Sequence, residues 1–207
     1  MLEYTTVKHE GSSTFEDRKS IFIGSALPIK NEEEGIAFVK KIKSEYPDAR
    51  HNVYAYVTRD NSITRYSDDG EPQGTAGMPV LDIIRKSDCT DVAIVVTRYF
   101  GGILLGTGGL VHAYTEAAKL ALLNAEIITL KMHDIFKINC GYSEYSKIKF
   151  KIDTLCFKMS EINFSDNVDF LVAVPESVSE SFVKDLTELC AGRAEIQLLK
   201  KEFDALS

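Results

Sequence analysis

The run Arg98-Tyr-Phe-Gly-Gly-Ile-Leu-Leu-Gly-Thr-Gly-Gly-Leu-Val-His-Ala-Tyr114 constrains this chain more than any other. It places five glycines, Gly101, Gly102, Gly106, Gly108 and Gly109, within nine residues. A β-like stretch, Val92 to Thr97, precedes them, and an alanine-rich helical stretch from about Gly109 to Asn124 follows. Glycine lets the backbone take positive φ and lets another molecule approach the main chain. A helix opening from such a loop presents unpaired N–H groups, and its dipole favours an anion there. A phosphate or carboxylate cradle is one reading, and a tight turn in which glycine serves only packing is the other.

The spelling excludes two common loops. Gly108-Gly109 is followed by Leu110-Val111, so the lysine of a P-loop is missing. A dinucleotide fingerprint from Gly106 would need a small residue at Val111 and would belong to the first βα unit of the chain.

The charge balance is acidic, −7 over 207 residues, which argues against coating nucleic acid by bulk electrostatics. Its distribution is uneven. Five of seven arginines, Arg50, Arg59, Arg65, Arg85 and Arg98, lie between positions 50 and 98, and the guanidinium fork suits phosphate or carboxylate. Solvated arginines paired with carboxylates are the plainer alternative. Cys89, Cys140, Cys156 and Cys190 form no C-x-x-C pair, so reduced thiols are expected rather than a zinc or redox site. No cofactor or metal is called for. There is no apolar run of membrane-spanning length and no signal-peptide pattern, which makes the cytoplasm the expected location.

The order of elements predicts an α+β protein. Residues 4–7 and 12–27 read as strands. Asn31 with Glu34 forms a capping box ahead of a helix that ends at Pro47. Val53, Ala55 and Val57 alternate with Tyr54 and Tyr56 in a strand, and Asp60-Asn61 is turn chemistry leading to a second strand, Ile63 to Tyr66. A loop from Ser67 to Gly77 leads to a short helix from about Pro79. After the glycine loop and its helix, Ile127 to Met132 is expected to close the first domain, residues 1–133. Residues 134–207 read as strand (Ile135 to Asn139), helix, two strands, helix and strand, the ferredoxin-like βαββαβ motif. This second domain carries no motif of chemistry and is read as a protein-docking or regulatory module, or as a structural one.

Several candidate residues can be weighed individually. Asp68, Asp69 and Glu71 lie in a Gly/Pro loop; they could hold magnesium, pair with Arg65 or Arg98 to tie two loops together, or form a solvated turn. His51 is a candidate general base or RNA contact, or a histidine hydrogen-bonded at a strand edge. Tyr54, Tyr56, Tyr66, Tyr99 and Phe100 could stack on unpaired bases or pack across strands; Tyr99 and Phe100 are placed best, beside the loop. No serine or cysteine sits in a nucleophile elbow.

Four segments together make a specific resemblance: Lys19 to Ile23, Ala49 to Tyr56, Tyr66 to Gly77, and Thr97 to Tyr114. Across nearly its whole length the chain resembles the IMPACT/YigZ family. The resemblance implies an N-terminal domain similar to a translation-associated βαβ module, the kind found in a small-subunit ribosomal protein and in elongation factor G domain four. It also implies a C-terminal ferredoxin-like domain similar to that factor's fifth. Eukaryotic members are tied to translational control through an additional N-terminal domain, which does not match anything here. His112 and Met78 stand where the family more usually carries basic residues, which removes fixed positive charge near the cradle. The expectation that follows is a non-enzymatic binding protein of translation. It would hold RNA or the ribosome through Arg65, Arg98, Tyr99, the amides of Gly101 to Gly109, and His112. The alternatives are an enzyme for a small phosphorylated or nucleotide substrate, using Asp68, Asp69 or Glu71, and a protein–protein adaptor.

Overall fold

A computed structural model describes residues 3–59 and 62–205. The predicted turn at Asp60-Asn61 lies outside the described residues. The chain forms two compact units, one of Tyr4–Thr129 and one of residues 130–205 with Glu3.

In the first unit, β2 (Gly11–Asp17), β3 (Ser20–Pro28), β4 (His51–Val57), β5 (Thr64–Ser67) and β6 (Val92–Tyr99) form an antiparallel sheet of order β2-β3-β6-β4-β5. The expected strand over 12–27 is in fact a hairpin. Arg18 and Lys19 turn the chain at φ +45° and +67°, a two-residue loop more commonly spelled with Asn and Gly. Helix α1 (Glu32–Glu45) covers one face through Phe38, Val39 and Ile42. The Asn31 side chain accepts from the Glu34 amide at 2.9 Å, and Glu34 accepts from the Lys30 amide at 2.8 Å, one residue earlier than the capping box requires.

Helices α2 (Gly77–Lys86) and α3 (Gly106–Asn124) cover the other face. Val53, Ala55 and Val57 of β4 point to them, with Val92, Ile94 and Val96 of β6, while Tyr56, Ala93 and Val95 point to α1. The period-2 alternation of strands thus divides the core into two layers. Both helices start earlier than expected. Asp68 accepts from the Ala76 and Gly77 amides at 3.1 and 2.8 Å, capping α2 from the far end of the loop that leads into it. In α3 the packing of Ala113, Tyr114, Ala117 and Ala121 offsets the poor helix propensity of Gly106, Gly108 and Gly109.

In the second unit, β7 (Ile127–Cys140), α4 (Tyr142–Thr154), β8 (Lys158–Phe164), β9 (Val168–Pro175), α5 (Ser179–Leu189) and β10 (Glu195–Asp204) follow in that order. The sheet runs β10-β7-β9-β8, all antiparallel, and β1 (Glu3–Val7) also pairs with β7. The two strands expected at Ile127–Met132 and Ile135–Asn139 are one. No glycine or proline interrupts Met132-His133-Asp134, and the ladder to β10 continues from Lys131↔Asp204 to Asn139↔Glu195. Ile148 and Ile152 of α4, and Phe182 and Leu186 of α5, fill this core. Among the described residues no helix is long and apolar enough to cross a membrane.

Candidate functional site

One end of the first sheet gathers most of the polar residues singled out above. Arg98 continues the 92/94/96 alternation of β6, so its side chain turns toward α3 and away from solvent. Its neighbours in register are Phe22 on β3 and His51 on β4. The guanidinium carbon lies 5.4 Å from the Phe22 ring centroid and 5.6 Å from that of Phe100.

Glu71 closes this cluster from the 67–77 loop. Arg98 Nη1 donates to Glu71 Oε1 at 2.5 Å, and the two side chains are only 7% and 4% exposed. Tyr114 of α3, fully buried, donates to the same oxygen at 2.8 Å and packs edge-on against Phe22 at 5.2 Å. Burial first, then the Glu71 charge, push the Tyr114 hydroxyl far above the usual tyrosine range, so it stays a donor. His51 Nε2 lies 3.9 Å from Glu71 Oε1, and its Nδ1 is 2.8 Å from the Asp69 carbonyl, which can only accept; Nδ1 therefore carries the proton.

The other two carboxylates hold the loop in shape. Asp68 accepts from the amide of Gly74 at 2.9 Å as well as from those of Ala76 and Gly77. Asp69 accepts from the Asn52 amide at 2.6 Å and from Lys43 Nζ at 2.7 Å. Of the readings weighed for Asp68, Asp69 and Glu71, pairing with Arg98 describes Glu71, while Asp68 caps α2 and Asp69 ties the loop to β4 and Lys43. Among the described residues no group of three His, Cys, Asp or Glu side chains is arranged to hold a metal.

Arg65 does not join this cluster. It pairs in register with Tyr56, on the α1 side of the sheet, and its Nε lies 3.1 Å from Glu32. His112 is also apart: it is exposed on α3 with its ring edge-on to Phe15 at 6.2 Å. Tyr99 is half-buried at the end of β6.

The glycine run forms a crown above the cluster. A Cβ at Gly101 would lie 2.0 Å from the Lys19 carbonyl carbon, so only glycine lets the loop press against the β2–β3 turn. Gly101 N also donates to Ser20 Oγ at 3.2 Å. Gly106 enters α3 at φ +73°, and Gly106, Thr107 and Gly108 are exposed. No side chain caps this helix and its first turn has no acidic residue, so its leading amides face solvent. Arg18 and Lys19, both exposed, form the turn against which Gly101 presses, in the loop that leads into this helix, and among the described residues neither is in an ion pair. The single strand expected over 12–27 left no turn for them. A basic pair between two alternating segments was the available signal.

Residues 18–122 match the Impact N-terminal domain, and residues 138–193 match a domain of unknown function, DUF1949. The chain belongs to the IMPACT family. It is 37% identical to the IMPACT family member YvyE of Bacillus subtilis, over 94% of this chain and 90% of that one. It is 34% identical to the IMPACT family member YigZ of Escherichia coli, over 90% and 92% respectively. Protein IMPACT of Xenopus laevis is 33% identical over 105 residues, 48% of this chain and 33% of that one. A solved structure titled as a hypothetical protein superposes with a TM-score of 0.62 at 30% identity, covering 97% of this chain and 98% of that one.

Proposed function

We propose that the chain is a non-enzymatic binding protein of the translation apparatus that holds RNA phosphate, on the ribosome, at the glycine crown. In this reading the N-terminal unit is a translation-module fold and the C-terminal unit a ferredoxin-like one. The strand order β10-β7-β9-β8, with the first and third strands of the unit in the middle, supports the latter. Fold likeness is an analogy and carries less weight than the site.

The observation that carries the reading is the pairing of two independent features at one place. The uncapped start of α3 offers backbone donors, and the Arg18-Lys19 turn offers two cations without an ion pair among the described residues. Arg18 and Lys19 both hold positive φ, as a two-residue hairpin turn requires, at an energetic cost that Asn or Gly in their place would reduce. Arg98, at 7% exposure and bound to Glu71, serves here as a positioning residue rather than a phosphate contact. It fixes β6 and the loop that follows. Asp68 and Asp69 accept from backbone amides and Glu71 binds Arg98 and Tyr114, so each of these three carboxylates already has partners within the protein.

The test is co-sedimentation with ribosomes of the host at low and physiological salt, comparing the wild type with Arg18→Gln/Lys19→Gln. The double variant should lose retention at physiological salt and reduce the salt slope by roughly two, one for each phosphate contact removed. Equal retention and an unchanged slope would remove the turn from the site and end this reading.

A further inference from the structure

The second unit carries a surface that the glycine crown does not explain, and the inference drawn from it does not rest on the loop reading. On α4, Ile148 and Ile152 form the inward stripe, while Phe150 falls off that stripe and is 75% exposed. Beside it, Leu155, Leu189 and the stems of Lys147 and Lys151 line a groove of about 600 Å³. Leu155 also lines a second groove, of about 510 Å³, with Phe157, Val178 and Phe182. The two form one apolar track along α4 and α5. A contiguous apolar surface of this kind marks an interaction site more often than an accident of packing.

The charges around the track say what fits it. From Asp134 onward the chain has nine Lys and Arg against thirteen Asp and Glu. The charged side chains lining the two grooves reverse that balance: Lys131, Lys147 and Lys151 against Asp185 alone, which is itself bound to Lys151 at 2.6 Å. A second copy of this chain, docked about a two-fold axis, would bring the same lysines to the same face on both sides, with like charges opposed. Nucleic acid would find lysines but no arginine in the lining, and only the hydroxyls of Ser146, Thr154, Ser177 and Ser181 to meet base edges over an apolar floor. We propose that the α4/α5 track docks an amphipathic helix of a partner protein, with apolar anchors at i, i+3/i+4 and i+7 and acidic residues on its flanks.

The experiment uses the full chain and a synthetic helix with leucines at those anchor positions and glutamates on the flanks. Its counterpart has lysines in place of the glutamates. Fluorescence anisotropy should show saturable binding of the acidic helix, with the lysine version at least about tenfold weaker. Phe150→Glu should abolish binding with an unchanged melting curve, since the side chain it replaces is already in water. Lys147→Glu should narrow or invert the preference between the two helices. The proposal fails if neither helix binds, if both bind alike, or if Phe150→Glu leaves binding intact. Sedimentation equilibrium provides one more way to overturn it: a dimer of the chain that Phe150→Glu dissociates would assign the track to a second copy.

Discussion

At the scale of single residues, the Glu71 carboxylate organises the end of the first sheet. It receives Arg98 and Tyr114 on one oxygen, all three buried, with the partly buried His51 nearby. Removing one partner of a buried ion pair leaves the other charge uncompensated, so Arg98→Ala should cost about 3–5 kcal/mol in urea unfolding. Tyr114→Phe should cost about 1–2 kcal/mol, because Glu71 keeps its other donor. The pH dependence has a definite sign. The folded chain holds the Tyr114 proton more tightly than the unfolded chain, whose tyrosines titrate near pH 10. That contribution is complete below about pH 10 and is lost as pH rises above it. Tyr114→Phe should therefore flatten the alkaline fall in stability. Tyr4 and Tyr56, which burial also raises, account for part of the remaining slope. The pairing of the acidic loop with an arginine was legible in the sequence as one of three readings. Which arginine was not: the choice of Arg98 over Arg65 depends on the two strands facing opposite sides of the sheet, a fact of register that sequence spacing does not contain.

At the scale of elements, the alternating strands and alanine-rich α3 could be read directly, because burial imposes a period of two on one and a helical stripe on the other. The misreadings came from long-range packing. Arg18-Lys19 lacks the usual spelling of a tight turn, and it is accommodated because Gly101 and Ser20 support it from the side. The early start of α2 depends on Asp68, eight residues before the amide it caps at Ala76. Two glycines separate support from binding. Gly101→Ala should both destabilise the fold and weaken RNA binding, since its Cβ would collide with the Lys19 backbone. Gly108 has open space around it, so Gly108→Ala should leave the melting temperature unchanged or raise it. If a phosphate approaches the main chain there, the same substitution should weaken binding. Thermal melts and RNA anisotropy on the two variants distinguish support from contact.

At the scale of the whole molecule, the chain has a net charge of −7, against which the proposed site sets the Arg18-Lys19 pair. Binding of that kind depends on local contacts against an unfavourable general field, so it should weaken steeply between low and physiological salt. The two-unit plan was legible from the repeated order of elements in the second half. The continuity of β7 was not, because its middle residues, Met132 to Asp134, derive their strand character from pairing with β10 and β9 rather than from propensity. The most direct test of the central claim is an amide-resolved NMR titration of the full chain with a short single-stranded RNA at low salt. The account predicts shifts concentrated at Arg18, Lys19, Gly102, Gly106, Gly108 and Gly109, suppressed as salt is raised. Shifts confined to other surfaces, or none at a concentration where ribosomes retain the protein, would contradict it.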